Sequence, residues 1–165
     1  MFKVLNEVCQ PTRATKYSAM VDLYAREDVV IGAGETKIVP LGVKISEDGL
    51  QKLLVNSGRE FMDDYFKKSH YLELHPRSSL RAKGLIIGVG VIDLDYPDEI
   101  GLIVHNAIKH SGNGIAKGAN NQNKYFINKG DKIAQCTLKE HKGYLLGIES
   151  DTERNGGFGS TGDVR

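Results

Sequence analysis

The segment Pro76-Arg77-Ser78-Ser79-Leu80-Arg81-Ala82-Lys83-Gly84 gathers a guanidinium, two hydroxyls and several backbone N–H groups within a few residues. Arginine offers a planar fork of donors to phosphate oxygens, and small serines add donors without bulk, so the grouping suits a phosphate chain. A helix cap or a turn would use the same residues. In Gly88-Val89-Gly90-Val91-Ile92-Asp93-Leu94-Asp95-Tyr96 an apolar strand abruptly delivers carboxylates and a phenol. Asp at a strand end is costly unless paired or employed, and a partly shielded carboxylate there could act as general base on a water. The Tyr96 ring could pack on a sugar, while a plain surface turn is the competing reading. Asp22, inside the apolar run Ala19-Met20-Val21-Asp22-Leu23-Tyr24-Ala25, is either a metal-shell carboxylate or half of a buried pair. A lone carboxylate acting through water is enough for Mg2+, which keeps several of its waters. In Gly130-Asp131-Lys132-Ile133-Ala134-Gln135 a turn enters a strand, and Gln135 is the polar side chain beyond it.

Other residues carry less. His70, His75, His105, His110 and His141 have no zinc-type spacing and read as ordinary surface residues. Cys9 and Cys136 lie far apart and read as reduced core thiols. With 22 basic against 21 acidic residues the net charge is +1, which gives no long-range pull on a nucleic-acid backbone. No apolar run approaches the about 18 residues of a spanning helix, and the start Met1-Phe2-Lys3-Val4 lacks a secretion-signal pattern, so a location inside the cell is expected.

The scaffold for these residues reads as β. Short β-branched runs recur between turn signals: Val29-Val30-Ile31, Lys37-Ile38-Val39, Val43-Lys44-Ile45, Leu85-Ile86-Ile87, Leu102-Ile103-Val104 and Ile133-Ala134-Gln135-Cys136. Many short strands without regular helices between them predict an antiparallel sandwich, jelly roll or barrel. Residues 49–67 break the pattern: Leu50, Leu53, Leu54, Phe61, Met62, Tyr65 and Phe66 return at helical spacing around Gly58, predicting one or two short helices that cover the sheet or meet a partner. The 19 glycines, an excess for this length, collect near 84–90, 112–118 and 156–162, as turns and close-approach sites would require. Residues 109–124 read as a long surface loop. The division expected is a β domain over 1–150 and a C-terminal arm over 151–165, whose lone Phe158 among glycines suits closure over a flat ring.

Taken in order, five segments resemble the five motifs of the trimeric dUTPases: AMVDLYA (19–25), PRSSLRAKG (76–84), GVIDLDY (90–96), GDKIAQ (130–135) and GGFGSTG (156–162). The resemblance spans most of the chain and implies an all-β, jelly-roll-like fold. It also implies hydrolysis of dUTP to dUMP and pyrophosphate with Mg2+, which keeps uracil out of DNA and supplies dUMP for thymidylate. By the same resemblance Arg77, Ser78 and Ser79 hold the phosphates, with Ser79 at the α-to-β bridge. Asp93 activates the attacking water, and Tyr96 lies under the deoxyribose. Backbone groups of a hairpin around Gly88 to Ile92, including Gly90 and Val91, read uracil. Asp22, through water, and Gln135 complete the shell of the magnesium. From the arm, Phe158 covers the uracil beside Gly159, while Arg154, Ser160 and Thr161 clamp the outer phosphates. Three subunits share each site, which implies a homotrimer, with no membrane and no direct nucleic-acid partner.

The chain departs from the family pattern at four places. Tyr96 is followed by Pro97-Asp98 where Tyr-Arg-Gly is common, and Ile87 stands where many members have Asn. The spacing from Arg154 to Phe158 is one residue short, and residues 49–70 are longer than the usual link, as in phage members acting in a host cytoplasm. Two other functions fit the same residues: a dCTP deaminase of the same fold, and a nucleotide-gated interaction protein using 49–67 or 109–124.

Overall fold

A computed structural model describes residues 1–56, 64–107, 123–148, 150 and 157. Eleven strands are present among them: β1 (Phe2–Val4), β2 (Val21–Tyr24), β3 (Val29–Ile31), β4 (Thr36–Pro40), β5 (Val43–Ile45), β6 (His70–Pro76), β7 (Leu85–Ile86), β8 (Gly90–Asp93), β9 (Gly101–Asn106), β10 (Tyr125–Ile127) and β11 (Lys132–Glu140). Every pairing is antiparallel. One sheet runs β2-β11-β6-β8, a second β4-β9-β7, and β1-β5 and β10-β3 form two ribbons. The all-β expectation holds, and each predicted strand run falls on a strand, with Ile87 beyond the end of β7.

Period-two burial decides which face each residue serves. In β6, Leu72, Leu74 and Pro76 are buried while Tyr71, Glu73 and His75 are only half-buried. In β9, Leu102, Val104 and Asn106 turn inward. These inward rows form the main core with Leu23, Ile31, Val39, Leu41, Ile100, Ile127 and Ile133. Cys9 and Cys136 are both buried, as expected of core thiols, and burial pushes the Cys136 thiol up to about 12. Asn106, the buried polar residue at the end of β9, donates through Nδ2 to the carbonyls of Ile31 and Asn123, each at 3.0 Å.

The expected helical segment resolves into α1 (Glu47–Asn56) and α2 (Asp64–Ser69), with residues 57–63 between them outside the description. The Ser46 hydroxyl accepts from the Gly49 N–H at 3.2 Å, the bond of an N-cap, and Glu47 and Asp48 complement the first turn. α1 therefore starts before the predicted residue 49. It buries Leu50 and Leu54, one turn apart, and with Phe66 and Leu94 they make a second, smaller core. α2 runs straight into β6 without a linking residue. α1 and α2 pack on the sheet beside Ile45 and Leu138, the covering role that one of the two readings gave them. A third helix, α3 (Ser78–Arg81), follows β6 and is pinned by buried Leu80. No helix among the described residues is long and apolar enough to cross a membrane.

Gly42, in the turn between β4 and β5, has φ +64°, and a Cβ there would overlap the Cys9 sulfur. The left-handed backbone penalty and the collision act together. Gly42→Ala is expected to lower stability by about 3 kcal/mol in urea unfolding; a loss below about 0.5 kcal/mol would show that neither constraint operates.

Candidate active site

Asp22 sits in the middle of β2 and is 1 % exposed. Its backbone pairs with Thr12 through bonds of 2.7 and 3.2 Å, which fixes the strand on that side. Its Oδ1 accepts from Gln135 Nε2 at 3.1 Å and lies 3.7 Å from Arg77 Nε; Oδ2 accepts from Lys132 Nζ at 3.2 Å. Burial by itself would raise the Asp22 pKa. The bonds from Gln135 and Lys132 and the charges of Arg77 and Lys132 outweigh it, and the carboxyl is held below its usual range. The two cations are each about one-third exposed, so their heads reach solvent while the carboxylate behind them fixes their position. Exposed Ser78 and Ser79 open α3 beside Arg77, whose own N–H donates to the Ile133 carbonyl at 3.2 Å. The result is a cationic, hydroxyl-bearing corner suited to phosphate oxygens.

Sequence reasoning named Asp22, Arg77, Ser78, Ser79 and Gln135 but missed Lys132. The reason is geometric. Positions 132 and 135 are an odd number apart and would point to opposite faces of a regular strand. The register of β11 on β2 shifts between Lys132 and Ala134, a β-bulge, and the extra residue returns both side chains to Asp22. A bulge leaves little trace in a sequence, although a Gly-Asp turn just before a strand is one place to look for it.

The second group of predicted residues lies elsewhere on the same sheet. β8 carries Gly90, Val91, Ile92 and Asp93 along the edge of β6, with Asp93 opposite Tyr71 and Gly90 opposite Leu74. Ile92 and Gly90 pair with inward residues, so Val91 and Asp93 share the outward face. A mostly apolar cavity of about 270 Å3 is lined by Gly88 to Ile92, Leu74, Tyr96 and Ile100 to Ile103. Tyr96 is almost buried, and the backbone of Gly157 lies against its ring so closely that a methyl there would overlap Cε2. Gly157 is the described residue of the arm; Arg154, Phe158, Gly159, Ser160 and Thr161 lie outside the described residues, as does most of the 109–124 loop.

One expectation changes. The segment around Gly88 to Ile92 is not a hairpin, because β7 pairs with β9 and β8 pairs with β6 in another sheet. After buried Ile87, Gly88 and Val89 carry the chain across from sheet to sheet into Gly90, and these three residues line the cavity.

The outward face of the four-stranded sheet sets the distance between the two groups. Gln135 pairs with Asp22 on one side and His75 on the other, whereas Asp93 pairs with Tyr71, four residues further along β6. Asp22 and Asp93 are on opposite edge strands, three strand spacings apart. Strand rise and spacing put them roughly 20 Å apart. Within one chain they cannot meet the same phosphorus atom. Between them Glu73 accepts from Tyr71 Oη and from His75 Nε2, both at 2.7 Å. The His75 bond comes first among the causes that hold the Glu73 carboxyl below its usual range. His75 and His70, the latter stacked on Phe66 at 4.1 Å, are half-buried. No group of three metal-ligating side chains occurs among the described residues.

The dUTPase family model matches residues 64–162. A deoxyuridine 5'-triphosphate nucleotidohydrolase of Variola virus is 32% identical over 168 residues, covering 97% of this chain and 90% of that protein. The dUTPase of Streptococcus mutans superposes with a TM-score of 0.59 at 25% identity, over 84% of this chain and 94% of that one. A mutant dUTPase from phage phi11 of S. aureus, whose structure describes coordination of a structural Mg(II) ion, superposes at 0.64 with 20% identity, over 97% of this chain and 98% of that one. The shared architecture bears out the jelly-roll-like all-β fold. The family match over most of the chain and the poxvirus relative together establish that this protein belongs to the dUTPase family.

Proposed function

We propose that the chain hydrolyses dUTP to dUMP and pyrophosphate at sites assembled between copies of itself. The observation that carries the reading is the separation of two half-sites on one sheet face: the Asp22 corner, chemically suited to phosphate, and the β8 edge with Asp93 beside an apolar cavity. Since roughly 20 Å divides them within a chain, a complete site needs the corner of one copy against the edge of another. The homotrimer implied by the family meets that requirement.

In this reading Arg77, Ser78, Ser79 and Lys132 bind the triphosphate. The uracil enters the cavity beside Gly90, Val91 and Ile92, where the mostly apolar wall suits a flat ring and the backbone supplies polar contacts. Tyr96 presents its ring to the deoxyribose and has no donor for a 2'-hydroxyl in that direction. Asp93, exposed at the strand end, takes the proton of the attacking water. Phe158, Gly159, Ser160, Thr161 and Arg154 of the arm close over the base and outer phosphates. Asp22 fits a magnesium shell only through water, since its oxygens already accept from Gln135 and Lys132 and face Arg77. When bound, magnesium supplies positive charge to the phosphate oxygens. No membrane or nucleic-acid partner is part of the proposal, and the place of action is the cytoplasm of the cell or host.

Purified protein with magnesium should release pyrophosphate from dUTP about 100-fold faster, as kcat/KM, than from UTP. Equal rates would overturn the uracil and sugar assignments, and ammonia released from dCTP would identify a deaminase instead. Asp93→Asn should lower kcat by about 100-fold or more while a non-hydrolysable dUTP analogue still binds; undiminished turnover would remove Asp93 from the chemistry. Asp22→Asn should raise the magnesium concentration for half-maximal rate by about tenfold, and an unchanged magnesium titration would reduce Asp22 to a structural ion pair.

A further inference from the structure

The helical segment packs against the one stretch of backbone that the proposed chemistry can least allow to move. Asp93 ends β8, and the next residue, Leu94, is buried in the smaller core with Leu50 and Leu54 of α1 and Phe66 of α2. The turn continues to Tyr96, whose N–H donates to the Asp93 carbonyl at 3.1 Å and whose ring lies in the main core. The carboxylate at 93 is therefore held by a turn with one side chain locked into each of two separate cores.

The same helices reach Asp93 by a second route. α2 passes directly into β6, and the second residue of that strand, Tyr71, is the cross-strand partner of Asp93. The junction is tight: Ser69 is fully buried, its hydroxyl donates to the Tyr65 carbonyl at 2.6 Å, and its carbonyl accepts from the His141 N–H at 2.7 Å. Phe66, which shares the small core with Leu94, also stacks on His70 at 4.1 Å. Packing at Leu94 and the covalent start of β6 are thus the two links between α1, α2 and position 93.

We infer that Leu94 and Phe66 are positioning residues for the reaction, and that α1 and α2 act as a buttress that fixes the backbone carrying Asp93. This rests on the proposed role of Asp93, but its structural part is measurable without turnover. Misplacing a catalytic group by about 1 Å can cost on the order of 100-fold in rate. The expected signature is a fall in kcat that exceeds any rise in KM: the phosphate corner is on the far edge of the sheet, while Ile92 and Tyr96, which line the base and sugar pocket, adjoin the buttressed turn.

The test compares Leu94→Ala, Leu94→Met and Phe66→Ala with Val55→Ala, an exposed position of α1 outside the small core. Leu94→Ala and Phe66→Ala should lower kcat for dUTP about tenfold or more, a larger change than any rise in KM. Leu94→Met, which keeps the volume, should restore most of it, and Val55→Ala should match the unaltered protein. Amide hydrogen exchange is measured on the same proteins without nucleotide. Exchange at residues 92–96 should accelerate in the two alanine variants while the Asp22 strand stays protected. Should Leu94→Ala fail to fold, Phe66→Ala alone decides. Unchanged exchange at 92–96 with lost stability would overturn the inference whatever the activity, and an unaltered protein inactive on dUTP would overturn the proposed function only.

Discussion

A carboxylate sealed from water stays charged only where donors and opposite charge replace the lost hydration, and at Asp22 two hydrogen bonds and a nearby guanidinium do so. Gln135 and Lys132 come from β11, which must be in register with β2, and Arg77 follows β6, which is paired to β11 in turn. The arrangement works in both directions. The cations keep Asp22 ionised, and Asp22 keeps two mobile basic side chains from wandering, so their heads are pre-positioned before any anion arrives. Removing the carboxylate would leave the cations to repel each other at the mouth of the corner.

The geometry of one sheet determines the rest. Four strands with a period of two leave a single outward face that bears, from one edge to the other, Asp22, Gln135, His75, Glu73, Tyr71 and Asp93. In the Tyr71-Glu73-His75 row Glu73 accepts from both neighbours, which ties together the ground between Asp22 and Asp93. Behind that face the main core is made of Leu, Ile and Val from both sheets, so the positions of the polar groups follow from apolar packing they do not share in.

Much of this was legible in the residues. β-branched runs announced the strands, and the five ordered segments announced the family and named Asp22, Arg77 and Gln135, which the fold brings together. Leu50 and Leu54 announced α1, yet its first turn was missed, because Glu47, Asp48 and Gly49 carry no apolar periodicity and the start is set by the Ser46 cap. Strand partners were not legible: β2 meets β11 from more than a hundred residues away, and nothing local encodes that choice. Lys132 was hidden by the bulge, and the crossing at Gly88 was mistaken for a hairpin because two neighbouring strands separated by glycines look the same whether or not they pair.

The direct passage from Ser69 into His70 has a consequence for how such a chain can change over evolutionary time. Strand faces alternate, so one residue inserted or deleted at that seam would rotate Leu72 and Leu74 out to water and drive Tyr71, Glu73 and His75 into the apolar interior. The helical segment and the sheet are in phase with each other there. Length variation has to be absorbed upstream of α2, where a change of any size leaves the alternation of β6 intact.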